Sequence, residues 1–234
     1  MISIHQSQFL PWLPYFYKII KSDVFIIMDD VQYQKNGVQN RNTIKTPTGE
    51  SYLTIPVKHK SHNLINEVTI VNKIYISKML KTLKNNYAKA KYFDVVFRQI
   101  NNLVQKKKYE ILSDLNKDLI ALSLKLMDVN VEIKFSSDFE LFTKKDDLVL
   151  DLILASNQNN YITGAGGLSY MDLDKFFKNG IELYQYKFNY TPYNQLWPKS
   201  GFLKNLSVID LLFNELEIAK DYILASGSLN LVKK

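Results

Sequence analysis

Ile2-Ser3-Ile4-His5-Gln6-Ser7-Gln8-Phe9-Leu10-Pro11-Trp12-Leu13-Pro14-Tyr15-Phe16-Tyr17-Lys18-Ile19-Ile20, followed after Lys21-Ser22-Asp23 by Val24-Phe25-Ile26-Ile27-Met28-Asp29-Asp30, is the stretch whose reading decides the fold. Ile2 to His5 is a short β-rich run, and Gln6 to Pro11 is polar and turn-like. Leu13, Phe16, Tyr17 and Ile20 recur at helical spacing, and Pro14 suits the first turn of that helix. Val24 to Met28 is continuously apolar, as a strand buried on both faces is, and it ends in an acidic pair. Together these segments make a β-α-β unit. If both strands share one parallel sheet, His5 and the Asp29/Asp30 pair leave it at the same carboxyl edge, where α/β sheets bind ligands.

Further along, Val38 to Ile44 and Tyr52 to Val57 flank Thr46-Pro47-Thr48-Gly49-Glu50, a hairpin signal, and Val68 to Val71 offers another strand. Between 74 and 127 the pattern turns helical. Met79, Leu80, Leu83 and Tyr87 share one face, Phe93 to Val104 follows, and Leu112, Leu115, Leu119, Leu122 and Leu126 step by three or four within Tyr109 to Met127. Alternation then returns: a strand over Val131 to Phe135, a helix over Asp146 to Ser156, and a strand over Asn160 to Thr163. A helix over Leu173 to Lys178 is closed by Asn179-Gly180 and precedes a strand over Ile181 to Phe188. Ser207 can cap a helix running through Phe213, and Leu216 to Ala225 forms another. No linker or internal repeat divides the chain. Residues 1–234 read as one α/β domain, a Rossmann-like parallel or mixed sheet with a central helical insert at 74–127.

Of the 234 residues, 46% are hydrophobic and 23% charged, a globular balance. The count of Cys 0 removes disulfides, thiolate-held metals and a thiol nucleophile. The net charge of +7 invites a nucleic-acid reading, yet Arg41 and Arg98 are the only arginines. Dispersed lysine is a solvated basic surface and not the footprint of a nucleic-acid binder. No run approaches the roughly 20 apolar residues of a membrane span, and the first residues lack a signal-peptide pattern, so the expected location is the cytoplasm.

Four groups of residues could carry chemistry. His5 leaves the first strand beside Gln6 and Gln8, placed as a general base or phosphate contact, or as a histidine hydrogen-bonded at the core's edge. Asp29 and Asp30 point to opposite sides of an extended chain, so one could orient His5 while the other holds a cation or a sugar hydroxyl; turn capping is the competing account. Arg41 stands among the amides of Gln39, Asn40 and Asn42, a set suited to phosphate and hydroxyls, or to a solvated strand. The run Thr163-Gly164-Ala165-Gly166-Gly167 before Tyr170 fits neither nucleotide-binding fingerprint, but it could expose N–H groups to an anion or simply make a tight turn. Trp12, Tyr33 and Tyr170 adjoin these loops as candidate stacking rings. His59 and His62 read as an exposed loop, and no metal site is expected.

The run from His5 to Phe16, with Asp29-Asp30-Val31-Gln32-Tyr33 and Asn40-Arg41-Asn42, strongly resembles the WbqC-like family of bacterial proteins. The resemblance continues through Leu53 to Val57, Tyr161 to Tyr170, Tyr193-Asn194-Gln195 and Leu206 to Asn214, and it adds Gln32 to the candidate contacts. Ser7 stands where the family usually has proline, and Pro14 where it usually has glycine. A looser likeness to the start of the nucleotidylyltransferase superfamily concerns fold only, because that family's second histidine is lacking. Membership implies a place in surface-polysaccharide and O-antigen gene clusters, among enzymes of nucleotide-linked amino sugars. The leading expectation is a transferase that moves an acyl or aminoacyl group from a carried donor to the amine of such a sugar. His5 would accept the proton, Asp29 or Asp30 would orient it, and Arg41 with Gly164, Gly166 and Gly167 would hold the pyrophosphate. The alternatives are a nucleotidyltransferase using Mg²⁺ on the acidic pair, or a sugar-nucleotide-binding protein without catalysis. Nucleic acid is not expected as a partner, and a homo-oligomer is left open.

Overall fold

The computed structural model describes residues 1–71 and 74–233. Its opening segments are the expected unit: β1 (Ile2–Gln6), α1 (Leu13–Ile20) and β2 (Val24–Met28), with β1 and β2 parallel and His5 level with Ile27. There follow β3 (Arg41–Thr46), β4 (Gly49–Thr54), β5 (Val57–Lys58) and β6 (Thr69–Ile70). β3 and β4 form a hairpin outside the main sheet, closing at Thr46 opposite Gly49, whose φ of 114° only glycine adopts freely. β5 and β6 make a second small ladder.

The insert consists of α2 (Ile74–Tyr87), α3 (Phe93–Lys106) and α4 (Leu112–Leu126). The chain continues with β7 (Glu132–Phe135), α5 (Lys145–Ala155), β8 (Asn160–Thr163), α6 (Ala165–Tyr170), α7 (Leu173–Lys178) and β9 (Glu182–Phe188). It ends in α8 (Val208–Glu215), α9 (Ala219–Ser226) and β10 (Gly227–Leu231). Ser207 caps α8, its hydroxyl accepting from the Ile209 N–H at 3.3 Å.

The main sheet runs β10-β9-β8-β1-β2-β7, parallel throughout except for β10, so it is mixed. Period-two alternation divides its side chains between two apolar layers. Ile2, Ile4, Val24 and Ile26 pack with α5 and α7, whereas Phe25 and Ile27 pack with α1, the insert helices, α8 and α9. The insert is therefore part of the main core. It is also tied by a buried polar contact, in which Tyr87 of α2 donates to Asp210 of α8 at 2.9 Å and accepts the Lys45 N–H of β3 at 2.9 Å. Among the described residues no helix is long and apolar enough to cross a membrane.

β10 escapes sequence reading. Gly227-Ser228-Leu229-Asn230-Leu231 is an edge strand paired only with β9, so it needs no continuous apolar run. Its first residue lies against the ring of buried Tyr17, and a Cβ there would collide with three ring carbons. Gly227→Ala is expected to cost about 1–3 kcal/mol. A lower urea midpoint at unchanged slope would show it, and an unchanged midpoint would mean that the ring moves freely.

Candidate functional site

After β1 the chain builds outward through β2 to β7, while β8 and β9 extend the sheet on the other side. The carboxyl end of β1 is thus a point where the strand order reverses, and the helices flanking such a point diverge to leave a crevice. A cleft of about 550 Å³ lies there, within the size range of small-molecule sites. It brings together seven of the residues singled out in the sequence: His5, Gln6, Trp12, Gly164, Gly166, Gly167 and Tyr170.

His5 shares the α1 face of β1 with Ser3 and meets the Tyr15 ring edge-on at 5.0 Å between centroids. Its Nδ1 is 3.3 Å from the Gln6 carbonyl oxygen and 3.3 Å from the Gln8 amide nitrogen, so it donates to the first or accepts from the second. Nε2 has no protein partner among the described residues. Burial, and then the charge of Lys18, hold the His5 pKa down to about 3, against a smaller upward pull from the Gln6 carbonyl. The ring is therefore neutral at physiological pH.

Lys18 is the residue that sequence reading missed. It lines the cleft, is only 3% exposed, and donates from Nζ to the Ile4 carbonyl at 3.3 Å. Burial brings its pKa down to about 7. The available signal was a single charged residue inside a helix whose other seven residues are apolar or aromatic.

The glycines divide by role. A Cβ on Gly164 would lie 3.0 Å from the Tyr186 ring and one on Gly167 would strike the Thr163 hydroxyl, so both sit in close packing. Gly166 faces open space. Tyr186 on β9 joins Trp12 and Tyr170 as an aromatic wall, and Tyr170 is 66% exposed. Burial raises the pKa of Tyr170 and of Tyr186, which keeps both phenols as donors.

The remaining candidates do not line this cleft. Asp29 accepts from the Ser137 hydroxyl at 2.9 Å and the Ser137 N–H at 3.2 Å, and Ser136 donates to both Asp29 and Asp30. The pair thus fastens the turn after β7, and His5 is oriented by Gln6 and Gln8 instead of by a carboxylate. Burial first, with the charge of Asp30 adding, pushes the Asp29 carboxyl above its usual range, opposed by the Ser137 bonds. Asn40 accepts from Tyr33 and donates to the Ile55 carbonyl, both at 2.9 Å. Asn42 donates to the Leu10 carbonyl at 2.8 Å and accepts the Thr43 N–H. These amides are used within the protein. Arg41 donates to the Asn36 carbonyl and lies 4.3 Å over the Tyr52 ring, so it is not paired with the glycine loop as a clamp. Gln32 is exposed beside His62, and Tyr33 lies against His59. Gln8 is buried behind His5.

The WbqC-like protein family matches residues 6–222. The chain belongs to that family. It is 32% identical over 225 residues, covering 95% of this chain and 96% of the other, to a protein of Mycobacterium tuberculosis (strain ATCC 25618 / H37Rv) that bears the name "Uncharacterized protein Rv1507c". Ser7 and Pro14, read from the sequence as departures from the family resemblance, are both accommodated by the fold. The Ser7 N–H donates to the Met28 carbonyl at 2.9 Å, extending the β1–β2 ladder by a bond no proline can make. Pro14 lies in the first turn of α1, where no intrahelical donor is needed.

The lowered pKa of His5 has a consequence for stability. Above about pH 6.5 the ring is neutral in both folded and unfolded chains. Below it the unfolded chain takes up a proton that the fold refuses until about pH 3, so stability falls with acid. From pH 7 to pH 5, the wild type is expected to lose about 1–2 kcal/mol more than His5→Gln in urea melts. Equal losses would show that the ring titrates normally.

Proposed function

We propose that this WbqC-like protein is an enzyme that transfers an acyl or aminoacyl group to the amine of a nucleotide-linked amino sugar in bacterial surface-polysaccharide synthesis. The observation that carries the reading is an imidazole, uncharged at neutral pH, opening onto a ligand-sized cleft at the sheet's switch point. The pathway rests on the family resemblance alone.

In such a transfer the amine nitrogen attacks the donor carbonyl. A C–N bond forms, the bond from that carbon to the donor's leaving group breaks, and one proton leaves the nitrogen. His5, with Nε2 free, is the proton acceptor, and Gln8 and the Gln6 carbonyl hold its ring in place. Trp12, Tyr170 and Tyr186 offer faces for the sugar and the base. With Cys 0 in the chain, the acyl group passes directly from a carried donor, with no protein thioester between. Among the described residues no carboxylate lines the cleft, and the Asp29/Asp30 pair is bonded to Ser136 and Ser137, which speaks against Mg²⁺-dependent nucleotidyl transfer here.

The test pairs uridine- and thymidine-diphosphate amino sugars with acyl and aminoacyl donors and reads amide product by mass spectrometry. His5→Ala is expected to lower turnover by about 10²–10⁴-fold while sugar-nucleotide affinity stays within about twofold. Equal turnover in the variant removes His5 from the chemistry. Absence of product from every pairing, with binding retained, leaves a binding protein.

A further inference from the structure

Lys18 is a buried amine without a counter-charge among the described residues. Its one hydrogen-bond partner among the described residues is the Ile4 carbonyl, and its Nζ stands 6.0 Å and 5.8 Å from the centroids of the Tyr15 and Phe25 rings. The ionisable groups beside it are His5 on β1, which its charge depresses, and Tyr15 on its own helix, while Tyr170 and Tyr186 line the same cleft. Burial keeps all three phenols protonated, so none supplies negative charge. Among the described residues no Asp or Glu lines the cleft. A buried ammonium in such surroundings is costly until an anion joins it, and Lys18 is among the residues that line the cleft.

We propose that Lys18 is the anion-binding group of this cleft, taking the diphosphate of a nucleotide-linked ligand and acquiring a proton as that anion binds. The inference rests on the function proposed above and gives the diphosphate a partner other than Arg41, whose guanidinium is engaged at Asn36 and Tyr52. It also couples the two nitrogens of the site. The charge of Lys18 is one of the two causes that depress His5, so an anion that neutralises that charge returns basicity to the imidazole when a ligand is present. With the cleft empty the amine, with a pKa of about 7, is partly uncharged at neutral pH; with a dianion bound its proton is retained well above that.

Calorimetry with uridine diphosphate glucose and thymidine diphosphate glucose tests this on the intact protein between pH 6 and pH 8.5. Both probes keep two negative charges across that range, and neither has an amine to acylate. Affinity is expected to fall by about tenfold per pH unit above pH 7. Heats measured in buffers of different ionisation enthalpy should show uptake approaching about one proton per site at pH 8 and little at pH 6. Lys18→Met should weaken binding at pH 7 by about tenfold or more and flatten the pH dependence, whereas Lys18→Arg, charged at every pH, should keep affinity and flatten it too. In the wild-type complex the His5 ring resonances should titrate at higher pH than in the free protein. If neither probe binds or Lys18→Met binds unchanged, Lys18 is not the anion site; wild-type affinity that is level from pH 6 to pH 8.5 shows that no proton is taken up. Should the variants fail to fold, the wild-type pH series tests the proposal by itself, and a level series without proton uptake overturns it as stated. Lys18-dependent binding without transfer from any donor would overturn the proposed reaction and leave the anion site standing.

Discussion

The pairing of β1 with parallel neighbours on both sides, while the chain departs from it in opposite directions, is the constraint on which the rest of the structure depends. It places the carboxyl end of the first strand in the middle of the sheet and leaves the crevice above it unfilled. It also closes α1 between the sheet and α9, which is why seven of its eight residues are buried. A helix enclosed in that way cannot send a charged side chain to the surface. Lys18 therefore lines the cleft, and the same enclosure lowers its pKa.

A second consequence concerns the loop after β1, which carries Trp12 to the cleft. Leu10 takes a left-handed φ of 41°, unfavourable for a leucine, and the Asn42 amide bonded to its carbonyl holds it there. Asn116 of α4 donates to the Ser7 hydroxyl at 3.2 Å and to the Gln39 carbonyl at 2.8 Å, and Gln39 donates to the Gln6 side chain at 3.0 Å. The hairpin, the insert and the exit of β1 are thus one polar core, and removing a partner from such a core costs about 1–3 kcal/mol. The amide oxygens of Gln8, Gln39 and Asn116 and the Tyr15 hydroxyl are buried there without a protein partner among the described residues. Residues that look like ligand contacts in the sequence serve instead to fix the loop that carries Trp12 to the cleft.

How much of this was legible depended on whether a residue's role was set locally. The strand over Asn160 to Thr163 and the helix over Leu173 to Lys178 were readable to the residue, since apolar spacing and a closing Asn-Gly mark their ends. The edge strand β10 was not, because half-exposed strands carry little pattern. His5 and Gly164 to Gly167 line the cleft and were singled out because strand ends and glycine runs mark chain reversals, although Ala165, Gly166 and Gly167 prove to be the first turn of α6. Asn40, Asn42 and Asp29 were read as ligand groups since a sequence does not tell a buried amide or carboxylate with internal partners from one awaiting a ligand. Lys18 was passed over because a lysine in a helix normally lies on the wet side, and the local signal, seven apolar or aromatic neighbours that leave this helix no polar face, does not say what the lysine would line.

The sequence by itself determined the β-α-β start, the alternation that returns after residue 131 and membership of the WbqC-like family, since apolar periodicity and ordered motifs are properties of the chain alone. Only the tertiary structure decided that β8 lies against β1 and that Lys18 and Tyr186 complete the cleft. It also decided that the acidic pair belongs to the β7 turn. Those outcomes depend on which strand lies beside which, and that is set by packing between segments more than a hundred residues apart, which no local pattern encodes.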